Sequence, residues 1–165
     1  MIELYILRHA VAKSRETWRG KDDSQRPLTR KGEKEMWCVA KGMKKLGLSF
    51  DLLLSSPYVR ARRTAEIVSE VFKAGKRLKL SMSLAAEADP RRFLKQGLFR
   101  FAKKIIVVGH EPFLSELIAL LLMGKASRLI KLSKGGLCKL TMESAHSGDA
   151  LLEWLLTREQ LIAVS

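Results

Sequence analysis

Residues 104–109, Lys-Ile-Ile-Val-Val-Gly, carry the strongest β-strand signal in the chain. The run is short, rich in β-branched residues and stopped by Gly-His with Pro112 close behind, so it predicts a buried strand that hands over at once to a helix. That helix, Phe113–Met123, is apolar nearly all round, which predicts heavy burial. The same alternation recurs upstream. Ile2–Leu7 predicts a first strand and Asp51–Leu54 a short buried one. Thr29 predicts the N-cap of a helix through about Leu46, with Gly47 beyond its end. Ser56-Pro57 predicts the opening of another helix, to about Lys73, as a cap followed by proline in the first turn. Leu78–Leu84 reads as an edge strand, Pro90–Phe101 as a helix, and Leu137–Met142 with Leu151–Leu156 as a closing hairpin. Strands alternating with helices predict an α/β fold on a mostly parallel sheet.

Composition sets the outer bounds. The 165 residues, 47% of them hydrophobic, suit one domain over 1–165 with an adequate core. No apolar run approaches the ~20 residues that span a bilayer, and the N-terminus has no signal-peptide core, so the expected location is cytoplasmic and off the membrane. Cys38 and Cys138 are far apart and in no metal-ligand spacing, which fits reduced structural thiols. The net charge is +14. The excess is spread through Lys41-Lys44-Lys45, Lys73-Lys76-Arg77-Lys79, Arg91-Arg92-Lys95 and Lys103-Lys104. Such a surface attracts polyanions, acidic proteins and phosphorylated substrates. The charges lack aromatic interleaving or a known binding motif, which makes a nucleic-acid-binding module the weakest reading.

Three of the strands end in candidate chemistry. Arg8-His9 follows the first, Ser55-Ser56-Pro57 with Arg60 follows the second, and Gly109-His110 follows the central one. Parallel strands bring such ends to one rim, where open α/β sheets bind their ligands. Two histidines and two arginines meeting there make a compact cationic pocket suited to a phosphoryl group, whose peripheral oxygens need donors on several sides. Arg62 and Arg63 flank Arg60 and read as surface or rim residues; His146 lies in a Ser/Gly turn. Trp37 and Trp154 fit the core, while Trp18 either lines an entrance or packs beneath the long 13–26 loop.

The segments Leu7-Arg8-His9-Ala10, Ser56-Pro57-Tyr58-Val59-Arg60-Ala61-x-x-Thr64-Ala65 and Val108-Gly109-His110-Glu111-Pro112 resemble the motifs of the histidine phosphatase superfamily. Arg26-Pro27-Leu28-Thr29, with Gly32 following, resembles more narrowly its small SixA-type phosphohistidine phosphatase branch. The resemblance covers nearly the whole chain in the family's order. It implies a phosphoglycerate mutase-like, three-layer α/β/α sandwich, with His9 as the nucleophile and Arg8, Arg60 and His110 as the phosphate pocket. Glu87 stands near the family's position for a general acid, with Asp23 as its rival. It implies no metal or other cofactor, since arginines supply the charge. An imidazole leaving group, with a reference pKa of ~6.5, departs with less help than an alkoxide. The short segment 84–101 leaves little chain for a lid, and the basic surface would steer an acidic partner. Both favour a phosphorylated protein substrate, such as a histidine phosphotransfer domain, over a small phosphoester. A general phosphomonoesterase or mutase-like enzyme is the alternative, and a monomer or weak dimer is expected.

Overall fold

The computed structural model describes residues 1–165. Its centre is a six-stranded sheet. In chain order the strands are β1 (Ile2–Arg8), β2 (Leu52–Ser55), β3 (Leu78–Leu80), β4 (Lys104–Gly109), β5 (Leu137–Met142) and β6 (Ala150–Leu156). They lie in the order β3-β2-β4-β1-β5-β6. β2 pairs in parallel with β3 and β4, and β4 with β1. β5 and β6 add the antiparallel side as a hairpin. The fold is therefore α/β with a mixed sheet that is parallel around its centre.

Period-two alternation within the central strands builds two cores at once. Tyr5, Leu7, Leu53, Ile106 and Val108 face α1 (Arg30–Lys45), α2 (Val59–Phe72) and the short α5 (Arg158–Ala163). Leu4, Ile6, Leu54, Ile105 and Val107 face α3 (Pro90–Leu94) and α4 (Phe113–Met123). Residues of β4 are fully buried on both faces, which is why that strand reads as an unbroken apolar run. α1 starts where expected. The Thr29 side chain accepts from the Gly32 N–H at 2.9 Å, and the Thr29 N–H bonds to the Val11 carbonyl at 2.9 Å.

Several boundaries differ from expectation, each for a local reason. α2 opens at Val59 with Tyr58 in the cap position, two residues after Pro57; the Ser56 hydroxyl accepts from the Tyr58 N–H and is shared with His110 Nε2, so it caps no N–H inside the helix. β3 stops at Leu80; Ser81 then caps a 3₁₀ turn at Met82–Leu84, which turns Leu84 into the second core. The expected helix over 90–101 is only five residues, since Gly97 takes a left-handed conformation (φ 68°) and a separate 3₁₀ turn follows. α5 was not anticipated, although Thr157 and Gln160 form a capping box readable in the sequence. No helix is long and apolar enough to cross a membrane.

Candidate active site

Register places three strand ends on one rim. Arg8 is level with Gly109, and Ser55 with Val108. Beyond the strands the ladder continues by one bond on each side: the His9 N–H donates to the Gly109 carbonyl (3.1 Å) and the Ser56 N–H to the Val108 carbonyl (3.0 Å). His9 and His110 are thereby brought together, with ring centroids 5.2 Å apart. Thr64 ties in the third member. Its hydroxyl accepts from the Ala10 N–H (3.0 Å) and donates to the Arg60 carbonyl one helical turn back (2.7 Å). The spacing Arg60-x-x-x-Thr64 thus joins the loop after His9 to the first turn of α2.

The hydrogen bonds around His9 decide its tautomer. Nδ1 lies 2.7 Å from the Ala10 carbonyl, an acceptor only, so Nδ1 carries the proton and Nε2 the lone pair. Burial, then the charges of His110, Arg60 and Arg8, hold its pKa well below the usual imidazole range. His9 is neutral at pH 7. His110 is also buried, and burial together with Arg60 lowers its pKa to about 3. His110 is therefore a neutral donor at pH 7 rather than a charged one. Its Nε2 lies 2.8 Å from the Ser56 hydroxyl, and that hydroxyl also accepts from the Tyr58 N–H at 3.3 Å. The Ser56 proton has no acceptor other than Nε2, so the hydroxyl donates to Nε2 and the His110 proton is on Nδ1.

That Nδ1 is buried with no partner. So are the Nε atoms of Arg8 and Arg60. Buried donors are seldom left unmade, because each costs about 1–3 kcal/mol. Three of them beside one neutral histidine describe a cradle for an anion rich in oxygen. Terminal nitrogens of each guanidinium are held from behind. Arg8 Nη1 donates to the Leu132 carbonyl (2.9 Å). Glu111 steadies this loop by accepting from the Leu132 N–H (3.2 Å) and from both the N–H and hydroxyl of Ser115. Arg60 donates to the carbonyl and carboxylate of Asp23, at 2.7 and 3.0 Å.

The two candidate acids lie in different places. Asp23 is inside the cluster as a partner of arginines: partial burial opposes ionisation, but the bond from Arg26 and the charges of Arg60, Arg26 and Arg15 outweigh it and lower its pKa. A carboxylate so held has no proton to donate at pH 7. Glu87 is exposed on the rim, where it accepts from the Tyr58 hydroxyl at 2.7 Å and raises that phenol's pKa. Tyr58 itself packs against His110 (5.0 Å) and lies under Arg60 (5.3 Å). Arg62 and Arg63 turn away to Glu66, Glu33 and Glu70, and His146 sits in the hairpin turn at the other end of the molecule. Trp18 lies folded against Gly20 in its own loop, with Lys13 5.9 Å from its ring.

Sequence reasoning left four contributors unassigned: Ser56, Tyr58, Glu111 and Arg26. Arg26 is the most consequential. It is buried, donates to Asp23 (2.9 Å) and to the Lys13 carbonyl (2.6 Å), and its charge is felt at both Arg60 and His110. A basic residue in the otherwise apolar and turn-forming Arg26-Pro27-Leu28-Thr29 was the available signal.

Residues 4–84 match the model of the histidine phosphatase superfamily (branch 1). An uncharacterized protein from Picosynechococcus sp. (strain ATCC 27264 / PCC 7002 / PR-6) is 33% identical over 168 residues, spanning 94% of this chain and 99% of that protein. The chain belongs to the histidine phosphatase superfamily. Within this superfamily the backbone is similar to that of the protein histidine phosphatase SixA solved with tungstate, at a TM-score of 0.83 and 22% identity over 97% of this chain and 99% of that one. It is also similar to the α-ribazole phosphatase of Shigella flexneri, at 0.73 and 17% over 95% and 97%. A phosphatase-type enzyme is the class of activity that this membership carries.

Proposed function

We propose that the protein is a phosphatase that works through a covalent phosphohistidine on His9 Nε2, and that its substrate is phosphohistidine in another protein. One observation carries the chemistry: three buried, unpartnered N–H donors, on Arg8, Arg60 and His110, beside a histidine whose Nδ1 is committed to the Ala10 carbonyl. The lone pair of Nε2 forms the bond to phosphorus as the bond to the leaving group breaks. The three donors take the charge on the peripheral oxygens, and one well-placed donor of this kind is worth roughly 3–4 kcal/mol. Water then attacks the phosphoenzyme, releasing inorganic phosphate and returning Nε2 to its free state. Arg8 and Arg60 keep their charge throughout, so the clamp needs no proton of its own.

Two features support a phosphohistidine substrate. The carboxylate nearest the pocket, Asp23, is held ionised by arginines, and Glu87 is on the rim, so strong assistance to a poor leaving group is absent from the pocket. Phosphoimidazole needs the least such assistance. The segment between Leu84 and β4 is also short, five helical residues and single turns, which leaves the pocket approachable by a side chain standing on another protein. Similarity to SixA in fold agrees with this choice, while similarity to α-ribazole phosphatase keeps small phosphoesters as the second reading.

The deciding experiment is trapping with a labelled phosphoryl donor. An acid-labile, base-stable phosphoenzyme should form, vanish in His9→Ala and fall in His110→Ala. Labelling that persists in His9→Ala would refute the nucleophile. A kcat/KM much higher for sugar or nucleotide phosphates than for a phosphohistidine protein would refute the substrate class and leave the nucleophile standing.

A further inference from the structure

The first strand has a second cavity at its other end. β1 runs from Ile2 to Arg8, so residues at its start stand about 20 Å from the catalytic rim at ~3.3 Å per residue. There a cavity of about 660 Å³ opens between α3, the turn at Leu98–Arg100, the start of β1 and the loop joining β5 to β6. Four cations line it: Arg91, Lys95, Arg100 and Lys103.

None of the four side chains has a hydrogen bond or ion pair with another residue. By contrast, Arg8, Arg26, Arg60, Arg63, Arg77 and Arg158 are all engaged. The one carboxylate in the lining, Glu143, lies 3.4 Å from the amino group of Met1. From Pro90 to His110 the chain contains no Asp or Glu at all. Four uncompensated charges around one concavity repel each other in the free protein and focus a positive field into it. Behind them the wall is apolar, with Leu94 and the edge of the Phe93–Phe99 aromatic pair. The volume is in the range that takes a ligand of nucleotide size, and far exceeds what one phosphate fills.

We propose that this cavity is a binding site for a nucleoside polyphosphate, its phosphates on Arg91, Lys95, Arg100 and Lys103 and its base against the apolar wall. The site is independent of the phosphatase chemistry at the opposite end of the sheet. It gives a use to four of the positive charges that the catalytic pocket leaves unused.

Calorimetric titration of the intact protein with ATP tests it, with inorganic tripolyphosphate, adenosine and a single-stranded oligonucleotide as comparison probes. Saturable ATP binding is expected, weakened at least about 10-fold in the double variant R91A/R100A, because two of four rim charges are lost. Both side chains are exposed and unbonded, so an unchanged melting temperature will show that the variant folds. His9→Ala and Arg8→Ala should bind ATP as the parent does, and tripolyphosphate should bind more weakly than ATP. The proposal is overturned by any of five results: no saturable ATP binding; parent-like ATP affinity in a folded R91A/R100A; ATP binding lost in Arg8→Ala; tripolyphosphate binding as tightly as ATP; or the oligonucleotide binding this surface more tightly than ATP.

Discussion

Ser56→Ala isolates the part of the site that sets a proton's position without touching substrate. The hydroxyl it removes sits 2.8 Å from His110 Nε2, and both residues are buried. Deleting it leaves a buried ring nitrogen without its partner, a cost of about 1–3 kcal/mol. For a domain of this size that lowers Tm by roughly 2–12 °C. The catalytic loss should be smaller than that of removing the donor itself. His110→Ala deletes one of three phosphate donors and should reduce kcat/KM on the order of 100-fold or more. Ser56→Ala leaves the ring in place and only frees its tautomer, so a loss of roughly 3–10-fold is expected, a fraction of that donor's worth. The assay is kcat/KM with p-nitrophenyl phosphate for both single variants and the double variant, alongside ¹⁵N histidine spectra. If Ser56 acts through His110, its substitution in the His110→Ala background changes nothing further, since the two effects are coupled. A spectrum showing His110 protonated at Nε2 in the parent protein, or a Ser56→Ala loss that adds in full to that of His110→Ala, would refute the reasoning.

Three further outcomes follow from the same geometry. Imidazoles that stay neutral when folded take up protons only on unfolding, so stability contributed by His9 and His110 is present above pH 6.5 and lost as the pH falls toward about 3. The urea midpoint should therefore drop between pH 6.5 and 5, and His110→Gln should flatten that slope; an equal slope in the variant would contradict the buried neutral state. Asp23→Asn should slow good and poor leaving groups by similar factors, because Asp23 holds Arg60 and supplies no proton, and Glu87→Gln, on the rim, should change both phosphohistidine and alkyl phosphates by no more than about 3-fold. A selective loss on alkyl phosphates in Asp23→Asn would return it to the role of acid. Finally, Gly32→Ala should destabilise the protein by more than the ~1 kcal/mol that alanine gains in a helix, as its Cβ would strike the Val11 carbonyl, and denaturant titration measures this directly.

What could be read from sequence was whatever rests on local pattern. β1, β2, β4 and α4 were legible because their side chains alternate or saturate in the way that full burial demands, and Thr29 marked its helix by a cap that acts within three residues. The failures have long-range causes. Ser56 looks like a helix cap until His110, 54 residues away, claims its hydroxyl. Leu84 looks like the end of a strand until the second core draws it inward. For the site, strand ends bring Arg8, His9 and His110 together, and the first turn of α2 adds Arg60. The supporting partners, Asp23, Arg26 and Glu111, sit in loops whose paths no periodicity encodes.

The place of β1 in the sheet bears on when the pocket exists at all. Arg8 and His9 leave the ribosome about a hundred residues ahead of β4 and β5, the two strands that flank theirs. Until residues 109 and 110 have emerged, His9 has neither the Gly109 carbonyl above it nor His110 beside it, and until residue 132 has emerged Arg8 lacks the Leu132 carbonyl that aims it. A nascent chain should thus carry the proposed nucleophile for most of its synthesis without being able to use it, and reactivity should switch on in a single late step as the central strand slots home.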